Sequence, residues 1–184
     1  MTQAIAGKRV AFLATDGVEE IELTAPWQAV RDAGGQPELV SLDEGEIQAF
    51  RHLDKAGTWN VDVTVDRADP SGYDALVLPG GVANGDFVRG DQRAVSFTRC
   101  FVEDGKPVAA ICHAAWVLAE ADVVRGRRMT SWPTLRTDLR NAGAQWVDEE
   151  VVADNGLVTS RGPDDLKAFC AKLIEEIAAG RHTG

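Results

Sequence analysis

The chain has 184 residues, 45% of them hydrophobic, and a formal net charge of −10 at pH 7. That balance argues against nucleic acid and anionic membrane surfaces as partners, since both attract basic patches, and leaves small molecules or proteins. The length suits one sizeable core, and no repeat, low-complexity tract or composition break divides 1–184, which therefore reads as a single domain.

No apolar run is long enough to span a bilayer, and Met1-Thr2-Gln3 opens without the basic and apolar pattern of a signal sequence. Three cysteines without paired spacing fit a reducing compartment better than a disulfide framework, so a cytoplasmic protein is expected.

In chain order, Arg9 to Thr15 is a short buried strand broken by Asp16-Gly17. The helix that follows carries Pro26 in its first turn and ends near Ala33-Gly34-Gly35. Pro37 to Leu42 forms a second strand, whereas residues 43–60 show little pattern and are expected to hold an insertion or hairpin. Val61 to Val65 alternates with period two as a half-exposed strand. Tyr73 to Leu78 is a buried strand stopped by Pro79-Gly80-Gly81. A helix then runs from Asp91, as N-cap, to Asp104, with Gly105 closing it.

Val108 to Ile111 reads as a fully buried parallel strand and Ala114 to Ala121 as a helix, which puts Cys112 in the turn between them. Pro133 opens a helix that stops at Gly143, and Asn155-Gly156 turns a hairpin within 151–159. Behind Pro163, residues Leu166, Phe169, Cys170, Leu173, Ile174 and Ile177 recur at helical spacing. Repeated β-α units predict a mostly parallel sheet covered on both faces, with ligands at the carboxyl ends of its strands. Three loops are expected at that edge: Asp16 to Glu22, Gly80 to Asp86, and Cys112-His113.

A thiol at a sharp strand-to-helix turn follows the logic of a nucleophile elbow, where the helix N-terminus favours an anion. Cys112 is accordingly expected to ionise below the ordinary ~8.5. It is the only cysteine in a turn: Cys170 sits on an apolar stripe and Cys100 beside Phe97 and Phe101, so both read as packing. Glu19 and Glu22 are three apart and share one face if the helix has begun by Glu19, so one can reach Cys112, although first-turn carboxylates also simply complement the helix dipole. Gly80-Gly81 either presents backbone N–H groups to an oxyanion or just ends a strand. His113 is a candidate base, although adjacent side chains usually diverge, and His52 and His182 read as surface. Cys112-His113 has no third ligand at metal-ligand spacing, so neither a metal nor another cofactor is expected.

Five stretches, Asp16 to Leu23, Asp74 to Gly81, Ala110 to His113, Met129 to Pro133 and Ala142 to Glu150, together resemble the PfpI family of the ThiJ/PfpI superfamily, in that family's order. The resemblance implies a flavodoxin-like three-layer α/β sandwich with a mostly parallel sheet, related to class I glutamine amidotransferase domains. It also implies a nucleophilic Cys112 on the elbow. By the same resemblance Glu22 is the protonated carboxyl bonded to the sulfur, Glu19 lies behind it in the pocket, and the backbone N–H groups of Gly81 and His113 are oxyanion donors. Gly80 and Trp132 line the pocket, and Asp86 from a neighbouring subunit orients His113. The chain departs from the family in Ala114-Ala115, where Gly-Pro is common, and in Asn84-Gly85-Asp86, where Asn-Pro-Asp is common, which predicts a looser loop.

Members of the family are described as intracellular cysteine proteases, general stress proteins, and glyoxalases or deglycases. The expectation is a cysteine-dependent stress-protection hydrolase acting on small carbonyl substrates or peptides, as a homodimer or higher homo-oligomer. The alternatives are an intracellular protease, and a redox-sensing stress protein or chaperone in which Cys112 is oxidised without turnover.

Overall fold

The computed structural model describes residues 3–183. Its strands are β1 (Arg9–Leu13), β2 (Val18–Glu19), β3 (Gln36–Ser41), β4 (Glu46–Arg51), β5 (Asp54–Asn60), β6 (Val63–Thr64), β7 (Ala75–Leu78), β8 (Val108–Ile111), β9 (Arg128–Met129), β10 (Gln145–Trp146), β11 (Val152–Asp154) and β12 (Leu157–Ser160). Its α-helices are α1 (Glu20–Asp32), α2 (Val82–Gly90), α3 (Gln92–Glu103), α4 (Ala115–Glu120), α5 (Arg136–Asn141) and α6 (Leu166–Ala179).

The main sheet has the order β11-β12-β8-β7-β1-β3-β6, parallel throughout except for the edge pair β11–β12. Its central strands β7 and β8, and β1 beyond its exposed Arg9, are short runs of Val, Ala, Leu, Ile and Phe. Such runs are what a strand buried on both faces requires, and β7 and β8 are buried along their whole length. Phe12, Leu23, Val30, Phe169, Leu173 and Ile177 fill one side beneath α1 and α6. Leu76, Leu78, Phe97, Phe101, Leu118 and Leu139 fill the other beneath α3, α4 and α5. The result is the mostly parallel sheet covered on both faces that the β-α repeats predict, and with it the three-layer flavodoxin-like sandwich that the resemblance implies.

Residues 43–60 fold as the antiparallel hairpin β4–β5, and β2 adds to it in parallel. The hairpin is tied to the start of α1 through Arg51 Nε and Gly57 N–H, which both donate to Glu20, and through His52 N–H, which donates to Glu19.

Four local expectations are corrected. Pro26 lies inside α1 rather than in its first turn, because the helix opens at Glu20. Gly80 to Asp86 is not a loop, since α2 starts directly after Gly81. Cys100 is exposed on α3, not core, because it falls on the side of the helix away from Phe97 and Phe101. His182 is not a solvated tail residue: its backbone N–H donates to the Gly105 carbonyl and its ring packs on Gly156.

Candidate active site

The chain leaves β1 towards β3 on one side and returns through β7 on the other, so the sheet has its switch point between β1 and β7, where a crevice opens at the carboxyl ends. Three neighbouring strand ends deliver three groups there. The segment after β1 brings Glu22, the segment after β7 brings Gly80-Gly81, and Cys112 follows β8.

Cys112 has φ +62, in the left-handed region that a residue with a Cβ rarely adopts, and begins a single 3-10 turn, Cys112–Ala114, ahead of α4. This is the strained corner of a nucleophile elbow. The twist also brings His113 Nδ1 to 3.1 Å from the Cys112 sulfur, so the two adjacent side chains converge where divergence was expected. The His113 ring is stacked on Trp132 and edge-on to Trp116, and burial pulls its pKa down, leaving a neutral imidazole at pH 7. Trp132 forms one wall, with its backbone N–H donating to the Cys112 carbonyl and its ring against Gly162.

Glu22 is fully buried, and neither carboxyl oxygen has a hydrogen-bond partner of ordinary geometry. Burial pushes this carboxyl up to about 8, and the charge of Glu19 adds to the push; the Cys112 sulfur and the Gly80 N–H act in the opposite direction. At neutral pH Glu22 therefore keeps its proton. The charge of Glu19 acts on this carboxyl, and the Glu19 side chain also accepts from the His52 N–H of the hairpin.

Burial also pushes the Cys112 thiol up, a charged Glu22 adds to this, and the N–H groups of Gly81 and His113 oppose it. This corrects the expectation of an acidified thiol. Cys112 is only 7% exposed, and the turn ahead of the six-residue α4 offers little helix dipole to offset the lost hydration. Because the two groups interact strongly, they titrate as a pair. While Glu22 holds its proton, its charge no longer opposes a thiolate.

The glycines set how closely these parts approach. A Cβ on Gly80 would lie 2.0 Å from Glu22 Oε2 and 2.7 Å from the Cys112 Cβ. Gly81 has φ +98 and packs on the Gly17 to Glu19 backbone.

Asp86 stands apart from this cluster, exposed on α2, and no hydrogen bond or ion pair joins it to His113 of its own chain. Two contributors were missed from sequence. Asn84, almost fully buried, bonds to Thr15, Pro79 and Gly80, so the expected loose loop is in fact anchored. No local signal marked it, because the uncapped, glycine-containing stretch that carries it reads as a loop. Asp138 accepts from the Trp116 indole and so holds the ring that packs on His113.

Among the described residues no three His, Cys, Asp or Glu side chains gather closely enough to hold a metal ion, and no helix is long and apolar enough to cross a membrane.

The chain is similar to a deglycase of Thermococcus kodakarensis, 43% identical over 91% of this chain and 98% of that protein. It is also similar to an Escherichia coli protein named protein/nucleic acid deglycase 2, 42% identical over 94% and 99%. A Bacillus subtilis protein carried as a candidate cysteine protease is 41% identical over 88% and 94%. Among solved structures, Drosophila melanogaster DJ-1beta superposes with a TM-score of 0.86 at 29% identity, over 94% of this chain and 91% of that one. The DJ-1/PfpI family model matches residues 8–176. An elbow cysteine, a buried carboxyl and a Gly-Gly turn thus lie within a match that runs almost from end to end, and the chain belongs to the DJ-1/PfpI family.

Proposed function

We propose that the protein is a Cys112-dependent enzyme that clears compact reactive carbonyls, of glyoxalase or deglycase type, in protection against stress. The observation that carries this reading is the carboxyl of Glu22, fully buried beside Cys112, a residue itself only 7% exposed; burial there keeps that carboxyl neutral. Such a site has a proton ready for a carbonyl oxygen and admits a small aldehyde more readily than a peptide chain.

With methylglyoxal, the Cys112 thiol proton passes to His113 Nδ1 as sulfur bonds to the aldehyde carbon. The carbonyl electron pair moves to oxygen, which is held by the Gly81 and His113 N–H groups and takes the proton of Glu22, giving a hemithioacetal. Glu22, now a carboxylate, removes the hydrogen on that carbon as a proton. The hydroxyl proton on that carbon passes to the neighbouring enolate oxygen, the imidazolium of His113 protonates the neighbouring carbon, and the product is a thioester with a free hydroxyl beside it. Water then cleaves the carbon–sulfur bond and frees lactate and the thiol. The oxidation and reduction are internal to the substrate, so no cofactor enters.

The test is steady-state kinetics on methylglyoxal and on peptide amides. We expect kcat/KM to be larger for methylglyoxal, and Cys112→Ser to lower it on the order of 10³-fold or more. Efficient peptide turnover without carbonyl clearance would support a protease instead. Activity that survives Cys112→Ser would rule out nucleophilic catalysis and favour the redox or chaperone readings.

The same proposal includes a homo-oligomer in which Asp86 of the partner subunit orients His113. Exposed apolar residues Val82 and Phe87, at 56% and 53% exposure, flank Asp86 on α2 and support this. Sedimentation at micromolar concentration should then show a closed dimer or an assembly of dimers. An active monomer would exclude a role for Asp86 from a neighbour.

A further inference from the structure

The N–H of Gly81 is useful to an anion at Cys112 only if its peptide plane is held in one orientation. That peptide is the Gly80–Gly81 unit, and in a trans peptide the C=O and N–H point in opposite directions, so whatever holds the Gly80 carbonyl aims the Gly81 N–H. Two donors hold it: Asn84 Nδ2 at 3.1 Å and the backbone N–H of Glu19 at 3.2 Å.

Asn84 is itself locked. Nδ2 also donates to the Pro79 carbonyl at 2.9 Å, Oδ1 accepts from the Thr15 N–H at 2.8 Å, and the residue is 1% exposed. One amide thus ties the end of β1 to the end of β7 and fixes the plane between them. Glycine at 80 and 81 leaves that plane free to rotate unless it is clamped.

We propose that Asn84 is a positioning residue for the anion site: by holding the Gly80 carbonyl it turns the Gly81 N–H towards the Cys112 sulfur and the oxyanion that forms beside it. This deepens the proposed function and rests on it for the oxyanion, but not for the thiol. Asn84→Asp keeps shape and the acceptor for Thr15, yet sets a carboxylate oxygen against two carbonyls. Asn84→Ser removes the clamp without adding charge.

The experiment follows the pH profile of Cys112 alkylation by iodoacetamide in a Cys100→Ser background, because Cys100 is exposed and would react too. It adds kcat and KM for methylglyoxal. In either variant the alkylation profile is expected to move to higher pH. kcat should fall about 10–100-fold with KM nearly unchanged, since one oxyanion donor is typically worth about 10²–10³ in kcat. A folded variant with an unmoved alkylation profile overturns the proposal.

The wild-type protein supplies an arm that needs no variant. The Gly81 amide proton resonance should follow the ionisation of Cys112, and the Asn84 side-chain amide should exchange slowly. A Gly81 resonance indifferent to that ionisation, or a rapidly exchanging Asn84 amide, also overturns it. The two proposals fail separately. If Cys112→Ser keeps carbonyl clearance, the functional reading falls while the shifted alkylation profile stands.

Discussion

Glu22→Gln is expected to stabilise the protein at alkaline pH by several kcal/mol while lowering its carbonyl clearance about 10²-fold or more. In the folded chain burial raises this carboxyl to about 8 from an ordinary value of 4.5. Between those two pH values the unfolded chain has released a proton that the folded chain still holds. Wild-type stability therefore falls with rising pH across that window, by roughly 1.4 kcal/mol per pH unit from this one group, and the loss is complete above it. Glutamine occupies the same space without titrating. Denaturant unfolding of both proteins at three pH values across the window should give curves that meet near pH 4.5 and separate progressively towards pH 8.5. Parallel curves would mean that Glu22 is charged in the folded state and donates no proton to sulfur or substrate. The loss of clearance follows because an amide cannot give up a proton and take it back.

Gly81→Ala should destabilise the fold by about 3–5 kcal/mol, the sum of a left-handed backbone strain and an overpacking cost of about 1–3 kcal/mol each, toward the upper end. A Cβ at this position would stand 2.3 Å from the Gly17 carbonyl oxygen and 2.7 Å from the Glu19 nitrogen. These are backbone atoms, so no side-chain rotation relieves the contact. Gly90→Ala is the matched control at the other end of α2, where a Cβ meets nothing within 4 Å and φ is ordinary. It should be neutral or slightly stabilising, since alanine restricts the unfolded chain. Thermal denaturation of the pair reads the difference. Equal melting temperatures would show that the β7 turn can move away from the β1 turn, and hence that the carboxyl and the sulfur are not held by close packing.

Much of the site was legible because its parts carry local signals. A run of Val-Ala-Ala-Ile ahead of Cys112 specifies a buried strand, and a small-residue segment after it specifies a helix, so the cysteine between them falls in a turn whatever surrounds it. Pro-Gly-Gly after Leu78 likewise marks a strand end. Asn84 and α2 were not legible. The helix Val82–Gly90 opens without a side-chain cap and contains glycine at both 85 and 90, so its propensity is poor and the stretch reads as loop. It forms because Val88 is buried against the sheet and because Gly85 lets the helix backbone approach that of His113. Cys100 shows the opposite error, where a neighbourhood rich in phenylalanine suggested burial but helical phase left the residue facing outward.

The sequence by itself determined the α/β order, the parallel sheet and the identity of the elbow cysteine, because strand burial, turn glycines and helix periodicity act over a few neighbouring residues. Only the tertiary structure decided the chemistry of that cysteine. Its protonation depends on lost hydration, on a carboxyl ninety residues earlier in the chain, and on two N–H groups from different strand ends. None of these distances is encoded locally, since they follow from β1, β7 and β8 lying side by side and bringing their carboxyl ends together.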